Sequence, residues 1–311
     1  MIQSSISRNE LSWRLCTRTL CLGARTLIMG VVNLTPDSFS DGGLYFNPDK
    51  AVEHVLRLLD EGADILDFGA ESTRPGVRVG SLAGEHADDL QTAAVSADEE
   101  QARLLPVLEA VLKAHPNAIV SVDTYKAATA RAAVAAGAEI VNDVSGFTWD
   151  LRMAAACAEL SCGVVLMHTR GKPEEWRTQP VLAPEAILPL VRDGLAQSLE
   201  TALAAGISCN ALVLDPGYGF GKRFDENYHL LARQTELLAL GYPLLAGLSR
   251  KSFLTRTLNQ TGQRAGDDSR EIASITAMVA AILHGASIVR VHRVREAVEA
   301  AAIADAVLAA R

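Results

Sequence analysis

The chain has 311 residues, 49% hydrophobic and 21% charged, which excludes a disordered polymer and supplies enough apolar side chains for a full-sized core. A formal charge of −8 and a pI near 5.4, with no segregated basic stripe, argue against a nucleic-acid or anionic-membrane partner, since either would be repelled. Five cysteines (Cys16, Cys21, Cys157, Cys162, Cys209) show neither C-x-x-C pairing nor zinc spacing, no run of 18 apolar residues occurs, and the N-terminus lacks secretory order. The expected setting is the reducing cytoplasm.

In chain order, Trp13–Arg25 reads as a small hairpin that would cap the bottom of the main fold. Eight short apolar runs then appear: Leu27–Asn33, Ile65–Gly69, Ile119–Asp123, Glu139–Asp143, Val164–His168, Leu212–Asp215, Leu244–Leu248 and Ser287–His292. Between and after them, helical spacing and good helix formers occupy residues near 49–61, 99–114, 125–136, 150–161, 183–205, 225–240, 270–284 and 294–310. Near-continuous apolar strands need cover on both faces, and eightfold alternation favours an α/β fold closed as a single (β/α)8 TIM barrel over an open doubly wound sheet. The expected organisation is an N-terminal extension over 1–26 and one barrel over 27–311.

Active sites of such barrels lie at the C-terminal ends of the strands. The residues ending these runs are unusually polar: Asn33, Asp67 to Glu71, Asp123, Asn142 and Asp143, His168, Asp215, Ser249 to Lys251, and Arg290 with His292. One terminal Asp would ordinarily cap a helix, but a whole ring of polar ends points to a site.

Met29–Gly43 (MGVVNLTPDSFSDGG) reads as a strand and a turn-rich loop, which is either a capped turn or a loop beside a phosphate site where Asn33 offers magnesium a neutral oxygen. Asp67–Gly76 (DFGAESTRPG) carries Arg74, which could pair with an acidic neighbour or bind an anionic substrate through its fork of donors. Asp123, Asn142, Asp143 and Asp215 could hold a metal, act as acid and base, or recognise a ring rich in N–H donors. Asp215–Lys222 (DPGYGFGK) fails as a phosphate loop, because Pro216 occupies the first glycine position and Arg223 stands where Ser or Thr must be; a tight turn exposing Phe220 is expected. GLSRKS and IVRVH put Arg250, Lys251, Arg290 and His292 at the last two strand ends, where barrels commonly bind phosphate.

Together with SVDTYK, NDVSG and LMHTRG, these segments resemble the dihydropteroate synthase family, in the family's order over about residues 27 to 305. The resemblance implies a transferase of folate biosynthesis, homodimeric, that joins a dihydropterin-methyl pyrophosphate to p-aminobenzoate. It implies that Asp123, Asn142, Met167, Asp215, Lys251 and Arg290 hold the pterin. Asn33, Arg74, Arg290 and His292 would hold the pyrophosphate, with Asn33 on a Mg2+ cofactor, and Phe39, Thr73, Arg74, Pro75, Phe220 and Ser252 would frame the aminobenzoate, the surface sulfonamides occupy in the family. Asp123, Lys251, Arg290 and His292 would then be the catalytic set; for Lys251 the resemblance replaces the phosphate role that position alone suggested.

The sequence departs from the family's pattern in places. Residues 77–98 form an unusually long second loop, Arg293 follows His292 where an acid is usual, and Thr169 replaces a common methionine. Two rival readings are a pterin-dependent methyltransferase domain, which should lack the TPDSFSDGG and serine-arginine-lysine segments, and a pterin-binding paralogue without synthase activity.

Overall fold

The computed structural model describes residues 11–35, 48–72, 95–260 and 265–311. A hairpin of β1 (Leu11–Arg14) and β2 (Thr19–Leu22) precedes the barrel strands β3 (Leu27–Asn33), β4 (Ile65–Gly69), β5 (Val120–Asp123), β6 (Ile140–Asp143), β7 (Gly163–Met167), β8 (Leu212–Asp215), β9 (Leu244–Ala246) and β10 (Ala286–Val291). The helices are α1 (Pro48–Asp60), α2 (Ala97–Ala114), α3 (Ala127–Ala135), α4 (Met153–Leu160), α5 (Ile187–Ala204), α6 (Phe224–Ala232), α7 (Ser252–Asn259), α8 (Asp267–Leu283) and α9 (Val294–Ala309). Strands β3 to β10 pair in parallel and close where β10 meets both β3 and β9, so the expected TIM barrel is what forms.

Alternation along each strand explains the architecture. Outward residues such as Leu66, Phe68, Val122 and Val141 pack against the helices in the main core. Inward residues at the N-terminal ends, Met29, Ile65, Ile140, Val165, Val213, Leu245 and Ile288, form a second, separate apolar cluster at the bottom of the barrel. Trp13, Leu15 and Leu22 of the hairpin segment complete that cluster, and the Trp13 indole donates to the Ala211 carbonyl at 3.0 Å. Glu139 ties the hairpin down: it accepts from the Thr17 N–H at 3.1 Å and hydroxyl at 3.0 Å and pairs with Arg18 at 2.7 Å. The hairpin therefore seals the barrel floor, as expected.

Two stretches differ from the sequence expectation. The segment expected as one helix over 225–240 breaks at Arg233 into α6 and a 3-10 turn, Gln234–Leu240, which ends at Gly241 in the left-handed region (φ 83°). Helix α7 was not expected. It fits between β9 and α8 as a short amphipathic element whose Phe253 and Leu254 are buried. No helix among the described residues is long and apolar enough to cross a membrane.

Candidate active site

Moving two residues up each strand from the apolar floor turns the barrel interior polar. Ile65 is followed by Asp67, Ile119 by Ser121, Ile140 by Asn142, Val213 by Asp215 and Ile288 by Arg290. Because the side-chain period of a strand is two, these residues all face the barrel axis in the layer above the floor.

Asp67, fully buried, organises this layer. Its carboxylate accepts from Arg290 Nε at 2.6 Å, the Ser121 hydroxyl at 2.6 Å and Asn142 Nδ2 at 3.1 Å. The other arm of Arg290 donates to Asp123 at 2.7 Å. Burial works against the Arg290 charge, but the two carboxylates outweigh it and raise its pKa. Burial pushes the Asp123 carboxyl up to about 7, with Arg290 pulling the other way and Asp67 adding to the rise. Asp215 is likewise raised by burial, although its Oδ1 accepts the Gly217 N–H at 2.7 Å. Gly247 lines the same space: a Cβ there would lie 3.8 Å from Asp215 Oδ2 and 3.9 Å from Arg290 Cβ.

Lys251, the residue before α7, reaches over this layer and places its Nζ 4.0 Å from the centroid of the Phe220 ring. Burial lowers its pKa to about 8, opposed by Asp215 and Asp123. Met167 is buried beside Tyr125 and Val144, with Phe220 and Trp149 packed against that apolar patch. The mouth thus combines acceptors, two cations and an apolar wall, a combination suited to a flat heterocycle with several N–H groups.

A second region lies to one side. Asn33 and His292 line a cavity of about 570 Å³ with Arg250, Arg293, His54 and Arg57. His292 Nδ1 lies 2.9 Å from the Ser249 hydroxyl. The four basic residues that the sequence places at the last two strand ends therefore divide. Lys251 and Arg290 turn inward among carboxylates, whereas Arg250 points toward Glu271 at 4.0 Å and joins His292 in the lateral cavity. Arg250 adopts a left-handed backbone (φ 59°), which turns it away from its neighbour Lys251.

Two strand-end residues belong to the scaffold. Asp143 points opposite to Asn142 and accepts from the Ser145 and Phe147 N–H groups at 2.7 and 2.9 Å. His168 is buried against α5, where a Cβ on Gly194 would lie 2.5 Å from its Cδ2. Both follow an inward neighbour, so the alternation that brings Asn142 and Met167 inside sends them out. Ser252 is exposed at the first turn of α7 and lines a different cavity, of about 680 Å³, with Arg250, Arg256 and Arg293. Phe39, Thr73, Arg74 and Pro75 lie outside the described residues, as do 77–94 of the segment expected to be a long second loop.

The arrangement has relatives. The family model for pterin binding enzymes matches residues 29–292. Dihydropteroate synthase of Mycobacterium leprae is 42% identical over 284 residues, covering 90% of this chain and 92% of that protein. The chain belongs to the dihydropteroate synthase family. Among solved structures of the family, that of Xanthomonas albilineans with 4-aminobenzoic acid matches with a TM-score of 0.82 and 38% identity, covering 97% of this chain and 99% of that one. The Xanthomonas albilineans enzyme with 7,8-dihydropteroate matches at 0.79 and 36%, covering 96% and 99%.

The departures from the family's pattern find local explanations here. Arg293 pairs with Glu296 at 3.1 Å and Glu271 at 3.8 Å, so acids of α9 and α8 balance the unusual base. Thr169 donates to the Gly171 carbonyl at 2.9 Å. Sequence reasoning noted Asp67 only as part of a polar strand end and gave it no role; the two-residue step from Ile65 was the signal that could have found it.

Proposed function

We propose that this chain condenses 6-hydroxymethyl-7,8-dihydropterin pyrophosphate with p-aminobenzoate to give 7,8-dihydropteroate and pyrophosphate. The carrying observation is the inward layer in which Asp67, Asp123, Asn142 and Asp215 surround Arg290 and Lys251 above a closed apolar floor.

Asp123, Asn142 and Asp215 would accept the N–H donors of the aminopyrimidinone edge, with Met167 and the Arg290 guanidinium against the ring and Lys251 on its carbonyl side. The bond between the methyl carbon and the pyrophosphate oxygen breaks first, leaving a cation delocalised into the dihydropterin. The surrounding carboxylates favour that cation electrostatically and are already oriented before it forms. The aromatic amine of p-aminobenzoate attacks the carbon, forming the C–N bond, and the resulting ammonium gives up its proton to solvent. It is weakly basic and neutral near pH 7, so holding it in place matters more than a strong base. Phe220 and Ser252, with Phe39, Thr73, Arg74 and Pro75 from the two signature loops, would frame it.

Asn33, Arg74, Arg290 and His292 would receive the pyrophosphate. Among the described residues no group of three or more His, Cys, Asp or Glu could hold a metal. A magnesium ion that arrives on pyrophosphate needs only one or two protein oxygens, so the single carbonyl of Asn33 fits it. When bound, magnesium supplies Lewis-acid stabilisation of the leaving group. The same reading makes the protein a cytoplasmic homodimer.

The test is pyrophosphate release by purified protein with magnesium, with and without p-aminobenzoate, together with detection of dihydropteroate. Product that depends on both substrates supports the synthase reading. Pterin binding without product would replace it with a non-catalytic pterin-binding role.

A further inference from the structure

The turn between β8 and α6 is held by an interaction that the proposed reaction does not use. Gly217, Gly219 and Gly221 all adopt left-handed backbone, with φ of 68°, 84° and 71°. A Cβ on Gly217 would lie 2.0 Å from the His168 carbonyl oxygen, and one on Gly221 would lie 2.6 Å from that of Arg170. The turn is therefore pressed against the chain leaving β7, at distances only glycine permits.

Lys222 lies buried in that contact. Its Nζ donates to the carbonyls of Gly217 at 2.7 Å, His168 at 3.0 Å and Phe220 at 3.3 Å. Three acceptors match the three N–H bonds of an ammonium. One acceptor follows β7 and two belong to the turn, so the side chain fastens the turn to the neighbouring strand end. Asn227 of α6 holds the turn's other side, accepting from the Gly219 N–H at 2.7 Å and donating to the Lys222 carbonyl at 3.2 Å. What this fixes is Phe220. Its ring has the Lys251 ammonium on its face, and the Trp176 ring meets it edge-on at 5.2 Å and 82°.

We propose that Lys222 is a positioning residue for the acceptor substrate: its side-chain nitrogen, through the three carbonyls it holds, sets the Phe220 ring against Lys251 and so governs capture of p-aminobenzoate, without touching either substrate. This rests on the proposed function. The pterin grips Asp123 and Asn142 should be less affected, because they stand on β5 and β6, away from the turn; Asp215, which accepts the Gly217 N–H at 2.7 Å, is the pterin contact nearest to Lys222. A purely structural lysine would lower stability and degrade both substrates' parameters together.

The experiment compares full-length wild type, K222Q, K222M, F220A and K222Q/F220A. It measures KM for p-aminobenzoate, pterin-pyrophosphate Kd without acceptor, and amide hydrogen exchange over residues 217–222. K222Q should raise the p-aminobenzoate KM by about tenfold or more while the pterin Kd stays within about twofold. Exchange at Gly219 and Phe220 should accelerate, and K222Q should add nothing once Phe220 is already Ala. An unchanged KM in folded K222Q, equal rises in KM and pterin Kd, or additive effects in the cycle would overturn the proposal. Should K222M fail to fold, K222Q, which keeps two donors, and the cycle still decide the matter. Absence of product from the wild type would instead remove the proposed function; Lys222 is then judged by calorimetric p-aminobenzoate affinity and by exchange, with the same outcomes for and against.

Discussion

Asp67 and Arg290 meet at 2.6 Å inside the barrel, and the same Asp67 carboxylate also accepts from Ser121 and Asn142. Two side chains assigned to the pterin, Arg290 and Asn142, thus depend on a third that need not touch it. Preorganisation of this kind removes the reorganisation that acceptors would otherwise undergo as charge develops.

Asp67→Asn should lower kcat/KM for the pterin substrate by about 100-fold, the scale on which misplacement of a site residue acts. Asn can still accept from Arg290, but it competes with the Ser121 hydroxyl and Asn142 amide as a second donor. The stability loss should be about 1–3 kcal/mol. Steady-state kinetics and urea unfolding measure the two effects separately, and wild-type kcat/KM in a folded variant would remove the positioning role.

Most of the barrel was legible in the sequence because both signals it relies on are local. Each apolar run marks a strand buried on both faces, and all eight recur in the structure to within one or two residues at each end. Helix α7 escaped because SFLTRTLN spans barely two turns and begins directly after a strand-end motif. The site was legible in composition but not in direction. Reading only the last residue of each run treated Asn142 and Asp143 as equals, although strand alternation sends one to the ring and the other to a backbone turn. Likewise the four terminal basic residues looked like one cluster. The left-handed backbone of Arg250, which separates it from Lys251, has no signature in a residue type that rarely adopts it. Lys222 looked like a failed phosphate loop because its partners are carbonyls, which no sequence motif displays.

Trp13→Ala should destabilise the fold by about 3–5 kcal/mol, since it removes the largest side chain of the floor and an indole hydrogen bond to Ala211. The active layer stands on the opposite end of the same strands. Chemical denaturation should therefore show the full loss, while kcat/KM at about 15 °C in the absence of denaturant should stay within about threefold of wild type. A large kinetic defect in the folded variant would mean that the hairpin does more than seal the barrel.

Lys126 bridges two buried carboxylates, Glu71 at 2.5 Å and Glu100 at 3.0 Å. Glu71 also accepts from the Tyr125 hydroxyl and the Val95 N–H, and Glu100 from the Thr129 hydroxyl. Lys126→Met should cost about 3–5 kcal/mol at neutral pH, because it leaves buried charge uncompensated. Burial already raises the Glu100 pKa against the pull of Lys126. A raised folded-state pKa means that the folded protein binds more protons than the unfolded chain between the unfolded and folded values, so stability is gained as pH falls through that interval. The variant's deficit should accordingly shrink as pH falls from neutrality toward the ordinary carboxylate range of about 4, as followed by thermal unfolding in a pH series. A deficit that grows on acidification would contradict the assignment.

The pH profile of the reaction tests the inward layer as a whole. The proposed pterin contacts need Asp123 as an ionised acceptor and Lys251 as a charged donor. Burial raises Asp123 to about 7, so its carboxylate is lost as pH falls through that value. Burial lowers Lys251 to about 8, so its ammonium is lost as pH rises through that value. Plotted against pH, kcat/KM for the pterin substrate should therefore rise toward about 7, peak narrowly and decline above about 8. Asp123→Asn cannot titrate; the acid limb of its much lower residual kcat/KM should pass to Asp215, which burial also raises, and so change position, while the alkaline limb stays. Lys251→Arg should keep the acid limb and lose the alkaline one, because a guanidinium stays protonated throughout the range. If both variants retain both limbs at their wild-type positions, other groups control the profile and the two residues hold the ring through contacts that do not depend on their charge.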